Sequence, residues 1–187
     1  MKTSLFILGI LAPAFIVVVA AGLYPVALVD GAPIFSRVWK KAEDASEHFI
    51  NTQLRANGKK PIDFLSSGNA EVLLQIKRET LQALIEDEFF KQEGKKLTEG
   101  FDLSSRQLAE EAVQKGENMD KAAKLAYDLS LADFKELVLL PQARRDFLKE
   151  ILAEKGQDFD KWMSETIKKK TVRLFFTPFK WSGETVE

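Results

Sequence analysis

A long uncharged segment at the amino terminus constrains this chain more than any other sequence feature. No residue between positions 3 and 29 is charged, and most of them are apolar. A bilayer core of roughly 30 Å needs about 20 apolar residues in a helix, whereas a cleavable signal has an apolar region of only about 7 to 15. Residues 1–25 are therefore predicted to form one transmembrane helix that anchors the chain.

Cleavage of this segment as an export signal is the alternative. Val19, Ala20 and Ala21 are small residues where a signal peptidase could cut, near Ala21. In both cases the rest of the chain is sent onto or across a membrane. A short basic tail before an apolar run is typical of export signals and favours a domain outside the membrane, although basic residues that follow the segment weaken this orientation.

The remaining residues, 26–187, are predicted to form one mainly helical domain with a small β part. Asp30-Gly31 separates two short β-prone runs and supplies the positive φ angles of a two-residue hairpin turn. Residues 171–176 alternate between apolar and polar positions and indicate a strand. An isolated hairpin is marginal in water, so this strand is expected to pair with the hairpin and to bring the two ends of the domain together.

Apolar periodicity and capping residues predict the helices between these strands. We expect Ser36, Ser104, Ser130 and Asp158 to cap helix starts, and Pro141 to kink the helix in which it lies. The expected helices span residues 36–54, 70–96, 104–115, 119–127, 131–154 and 158–169.

Composition excludes much catalytic chemistry. The chain has 27 Lys plus Arg against 28 Asp plus Glu, one His and no Cys. Thiolate sites are excluded, and the balanced charge gives no reason to expect nucleic acid as a partner. The glycine spacing of a dinucleotide fingerprint and a phosphate-binding loop are also missing from the sequence. No catalytic residue, cofactor, metal site or small-molecule substrate is predicted.

The charged runs are interpreted as structural. Consecutive carboxylates at 86–88 and 110–111 splay apart on a helix and cannot face each other as an acid and base pair, so they are assigned to the surface. His48 is expected to be structural or exposed because one imidazole without cysteines is a poor ligand set. The lysines at 168–170 are expected to complement a helix carboxyl terminus.

A terminal aromatic cluster leaves three interpretations open. Its members are Phe175, Phe176, Phe179 and Trp181. A strand could bury alternate rings in the core, the rings could rest at the bilayer interface, or they could bind client polypeptides. Phe175, Phe179 and Trp181 are the candidate substrate-binding residues under the third interpretation.

The order of elements resembles the N-terminal domain of SurA-type periplasmic chaperones and their membrane-anchored foldase relatives. Three segments carry the resemblance: Val-Ala-Leu-Val-Asp-Gly-Ala-Pro-Ile-Phe-Ser at 26–36, the helical run at 83–97, and Leu-Ser-Leu-Ala-Asp-Phe-Lys-Glu-Leu-Val at 129–138. The resemblance covers about residues 26–176. It implies a helical bundle of that type, with a hairpin and a C-terminal strand. The parvulin isomerase domain that such proteins usually carry has no counterpart here.

The resemblance implies a membrane-anchored chaperone without ATP or covalent chemistry. Its partners would be unfolded or newly exported polypeptides, and its membrane contact would run through residues 4–25. The expected location is the bacterial cytoplasmic membrane, with the domain outside, or the periplasm or medium after cleavage. A non-catalytic membrane-tethered scaffold and a prolyl isomerase with an unrecognised site are the alternatives.

Overall fold

The computed structural model describes residues 22–187. The predicted transmembrane helix lies almost wholly in residues 1–21 and thus outside the described residues. Within 22–187, every helix is too short or too polar to cross a bilayer. Residues 22–25, assigned by sequence to the anchor, hydrogen-bond to the domain, because the carbonyls of Gly22 and Tyr24 accept the amides of Arg37 and Ser36, each at 3.0 Å.

Three antiparallel strands form one small sheet in the order β2–β1–β3. Strand β1 is Pro25–Val29, β2 is Ala32–Phe35 and β3 is Val172–Leu174. The turn between β1 and β2 has positive φ at both Asp30 (47°) and Gly31 (88°), as a two-residue hairpin with matching twist requires. The hairpin prediction is confirmed, and so is the pairing of the last strand with it, since Ala27 lies opposite Leu174.

The helices follow the predicted order. Their bounds are α1 Ser36–Ala56, α2 Ala70–Leu97, α3 Phe101–Lys115, α4 Met119–Tyr127, α5 Leu131–Phe134, α6 Leu140–Glu154 and α7 Phe159–Ile167. A 3₁₀ turn, Ser67–Asn69, precedes α2, and a π-helical segment, Lys135–Leu139, joins α5 to α6. The mainly helical fold class with a small sheet is therefore correct for the described residues.

Two of the four predicted helix caps are correct. The side chains of Ser130 and Asp158 accept the amides of Asp133 and Lys161. Ser36 is already helical and follows an extended Phe35, so the prediction that it caps α1 is wrong.

The predicted start of α3 at Ser104 is also wrong. Gly100, with φ of 75°, allows the helix to begin at Phe101, and the Ser104 amide donates to the Gly100 carbonyl. Because the Phe101 ring is buried, the first turn of α3 is fixed by core packing rather than by a polar cap.

The helix that contains Pro141 widens before the proline. The Leu140 amide donates to the Lys135 carbonyl, five residues earlier, which is the π-helical pattern. Proline has no amide to donate and its ring crowds the preceding turn. The kink at Pro141 stays a prediction: the structure shows one widened turn before the ring, and the helical path continues to Glu154.

The core consists of three apolar clusters. The first joins β1 to α2 through Val26, Val29, Leu81 and Ile85, together with Phe179 and Val186 from the tail. The second joins α2, α3, α6 and α7, and the third joins α1 to α4 and to α5. Helix α2 contributes to the first two clusters and is thus the central element against which the others pack.

Candidate functional site: a groove between three helices

A groove runs between α1, α2 and the π-helical segment with the start of α6. It has a narrow part of about 130 Å³ and a wider part of about 360 Å³. The two parts adjoin, because both are lined by Leu84, Asp87, Leu137 and Pro141, and together they are called here the central groove.

The narrow part of the central groove is mostly apolar. The alanine side chains of α1 and α2 are short and leave space between the helices. The opposite wall consists of larger apolar side chains from α4 and the π-helical segment. The apolar residues that line it are Ala42, Ala45, Ala83, Leu84, Tyr127, Leu137, Val138 and Pro141. Such a depression accepts apolar side chains without needing polar partners for them.

The wider part carries charges of both signs at its margin. The charged residues are Arg37, Lys41, Asp87, Glu88, Lys91, Arg106, Asp133, Glu136 and Arg144. Lys41 of α1 pairs with Asp133 of α5 at 2.8 Å, and Arg106 of α3 pairs with Glu136 at 2.8 Å. These pairs are about half exposed and contribute at most about 1 kcal/mol each, so they can open at little cost.

Arg144 is the buried charge of the groove. Its side chain is only 6% exposed, and its two terminal nitrogens donate to Asp87 at 2.6 Å and to Asp102 at 3.0 Å. Burial raises the pKa of Asp87 even though Arg144 opposes the shift. Burial also acts to raise the pKa of Asp102, but the hydrogen bond and charge of Arg144 outweigh it and lower that pKa.

Two polar atoms of this ion pair have no hydrogen-bond partner among the described residues. They are Oδ1 of Asp87, an acceptor, and Nε of Arg144, a donor. Unpaired buried polar atoms are costly and rare. Both atoms are buried, so their unmet hydrogen bonds lie inside the ion pair and not on the surface of the central groove.

The sequence prediction for the carboxylate run at 86–88 is wrong for Asp87. Assigned to the surface, Asp87 instead binds Arg144, a partner 57 residues away in the sequence.

The sequence prediction for Lys170 is wrong as well. Rather than ending a helix, Lys170 is 4% exposed and pairs with Asp30 and Glu93, each at 2.7 Å.

His48 lies at the surface side of α1, where its Nε2 is 3.1 Å from the Leu125 carbonyl oxygen. This contact is structural, since it joins α1 to α4. Within residues 22–187 no three His, Asp or Glu side chains are grouped as a metal site would require.

The terminal aromatic residues occupy different environments. Phe179 is buried in the first core cluster beside Trp39, and Trp181 packs partly buried between the first and second clusters. Phe175 is partly buried, and its amide donates to the Val26 carbonyl beside the sheet. Phe176 is 81% exposed. The structure does not bring the candidates Phe175, Phe179 and Trp181 into the central groove, whose lining sequence reasoning missed.

Comparison with protein-family models, curated proteins and solved structures gives no match to this chain. The resemblance to SurA-type chaperones stays a prediction.

Proposed function

We propose that the protein is a membrane-anchored, extracytoplasmic holdase that binds unfolded or newly exported polypeptides in the central groove, without ATP. The observation that carries the proposal is the groove itself, with an apolar narrow part and a margin of charges of both signs. The anchor is the uncharged segment at residues 4–21, since residues 22–25 belong to the domain.

The apolar narrow part of the central groove favours weak binding of many client sequences. Burying one large apolar side chain gives about 1.5 to 3 kcal/mol, and ordering the client offsets part of this gain. A groove that holds only a few such side chains binds reversibly, so release needs no nucleotide.

The charged margin suits a client backbone. The half-exposed Lys41 and Asp133 supply a donor and an acceptor that match the C=O and N–H groups that every extended peptide offers. These contacts do not depend on client sequence, as a holdase requires.

The test is aggregation of a chemically unfolded client in the presence of the full chain in lipid nanodiscs, with no nucleotide. The groove variant is Ala83→Arg, because Ala83 is an exposed helical residue that lines the narrow part, where a long side chain occupies the groove without disturbing the core. The control is Ala112→Arg on the exposed face of α3, a position that lines neither part of the groove.

We expect the wild-type chain and Ala112→Arg to suppress aggregation at near-stoichiometric amounts. Ala83→Arg should lose about 1.5 kcal/mol of client binding, which is about a tenfold weaker affinity. Equal protection by both variants would contradict a role for the groove. No protection by a folded wild-type chain would contradict the holdase function and favour a scaffold with a dedicated protein partner.

A further inference from the structure

One end of the sheet carries exposed apolar side chains that the proposed client groove does not use. Phe176 is 81% exposed, Leu23 is 44% exposed and Phe35 is 38% exposed. Tyr24 contacts Phe176 edge to face, with ring centroids 5.6 Å apart. These four residues are called the sheet-end patch.

Strand register places the patch at a single end. Phe35 lies opposite Pro25 on one side of β1. On the other side Ala27 lies opposite Leu174, and the Phe175 amide donates to the Val26 carbonyl, which places Phe176 beside the start of β1. Leu23 and Tyr24 lead directly into that start. The hairpin turn at Asp30 lies at the opposite end of the sheet.

Phe176 holds its exposed ring in a strained backbone conformation. Its φ is 53°, in the left-handed region that bulky residues avoid. Such a conformation is unfavourable for a bulky side chain, and an exposed ring forgoes the gain that burial of its apolar surface would bring. Both costs would be offset if the ring were covered by an apolar medium.

The chain itself indicates what covers the patch. The uncharged segment that precedes the domain ends at this point, and Gly22 is held there by Arg37. Because one residue spans at most about 3.6 Å, the patch begins within about 10 Å of residue 21. A segment long enough to span a bilayer therefore reaches the domain at the same place as the exposed aromatic rings.

We propose that the sheet-end patch rests in the interface of the phospholipid bilayer that holds residues 4–21. Tyr side chains are enriched at this interface, and Phe and Leu side chains are typical of segments that lie in it. The sheet end then faces the membrane. This inference rests on the membrane attachment in the proposed function and is independent of client binding.

The test uses the absence of native cysteine. Single variants Phe176→Cys, Leu23→Cys, Ile10→Cys and Leu125→Cys of the full chain are labelled with a small fluorophore and reconstituted into phosphatidylcholine and phosphatidylglycerol vesicles. Quenching by lipids with a nitroxide near the headgroup reports contact with the interface. Ile10 reports insertion of the apolar segment.

Leu125 is the distant control. It is 72% exposed, and its carbonyl accepts a hydrogen bond from Thr52, which lies 16 residues along α1 from Ser36. At a rise of 1.5 Å per residue, Thr52 lies roughly 24 Å from the start of α1. Leu125, which contacts Thr52, is therefore far from the sheet-end patch.

We expect strong quenching at positions 176, 23 and 10, and several-fold weaker quenching at position 125. Quenching at position 10 without quenching at 176 and 23 would overturn the patch proposal and leave membrane attachment intact. Equal quenching at 125 and 176 would also overturn it, because the patch would then have no special orientation. No quenching at position 10 would overturn both. The aggregation test has its own readout, so failure of client binding is distinguishable from each of these outcomes.

Discussion

At the scale of single residues, Lys170 is the most deeply buried cation that the structure describes at the sheet. It contacts carboxylates from the hairpin turn and from α2, the Gln92 side-chain oxygen at 3.0 Å, and the face of the Phe89 ring at 5.5 Å. One ammonium group therefore joins the start of β3 to the β1–β2 turn and to the central helix.

Replacing Lys170 by Met should destabilise the domain. The ammonium is lost while Glu93, which is 11% exposed, keeps only Lys96 as a charged partner. Breaking a buried ion pair costs about 3 kcal/mol or more, so the urea midpoint should fall clearly. Lys168→Met is the control: Lys168 is 55% exposed in its pair with Glu184, and its loss should cost less than about 1 kcal/mol. Equal effects of both variants would contradict the assigned burial.

The same cluster gives a pH dependence. Burial acts to raise the pKa values of Asp30 and Glu93, but hydrogen bonds from Lys170 outweigh it and hold both below the ordinary 3.8 and 4.5. A carboxyl whose pKa is lowered by folding stabilises the fold above its unfolded pKa, and this contribution is lost as the pH falls through the folded pKa.

The stability difference between wild type and Lys170→Met should therefore be full above about pH 5 and shrink as the pH falls below about 4.5. Urea unfolding of both proteins between pH 7 and pH 3 measures it. Asp87, Asp102 and Asp133 are common to both proteins, so their own pKa shifts largely cancel in the difference. A difference that grows on acidification would show that the sign is wrong.

At the scale of elements, the close approach of α2 and α3 depends on Gly94. A Cβ atom at this position would lie 2.3 Å from the Phe101 ring, which is buried in the second cluster. The short loop between the helices brings Phe101 directly onto this glycine.

Gly94→Ala should destabilise the domain by about 1 to 3 kcal/mol through overpacking, although better helix propensity offsets part of it. Gly116→Ala, at the residue that follows α3, is the control for adding one methyl group to a glycine. The nearest atom there is the flexible end of Met119, at 2.2 Å, which can turn away. Thermal unfolding of both variants makes the comparison. A Gly94→Ala variant as stable as Gly116→Ala would mean that α3 can shift away from α2.

The elements that sequence predicts best are those with local signals. Asp30-Gly31 fixes its own turn, and Ser130 and Asp158 cap the helices that follow them directly. The cap of α1 and the start of α3 were missed because the sheet contact before Ser36 and core packing at Phe101 decide them. The central groove and the ion pairs of Arg144 and Lys170 were missed because their residues meet only after distant helices have packed.

At the scale of the whole molecule, the two ends of the domain close on each other. Strand β3 lies beside β1, and the tail then returns Phe179 and Val186 to the first core cluster. Gln82 of α2 fixes the tail by accepting the Val186 amide at 2.9 Å. The last residues are thus part of the fold and not an appendage.

Phe179→Ala should therefore cost about 3 kcal/mol or more, as truncation of a buried phenylalanine does. Phe176→Ala, three residues earlier, should leave stability nearly unchanged, because that ring is exposed. Urea unfolding of the two variants separates core packing from surface contact within one short segment. A small effect at Phe179 would contradict closure of the domain by its tail.

Client binding in the central groove is the central claim. It depends on the whole molecule, since α1, α2 and the π-helical segment form the groove together. The most direct measurement is suppression of client aggregation by the nanodisc-held full chain, comparing Ala83→Arg with Ala112→Arg. The account predicts protection by wild type and Ala112→Arg, with about tenfold weaker protection by Ala83→Arg. Undiminished protection by a folded Ala83→Arg variant would contradict it.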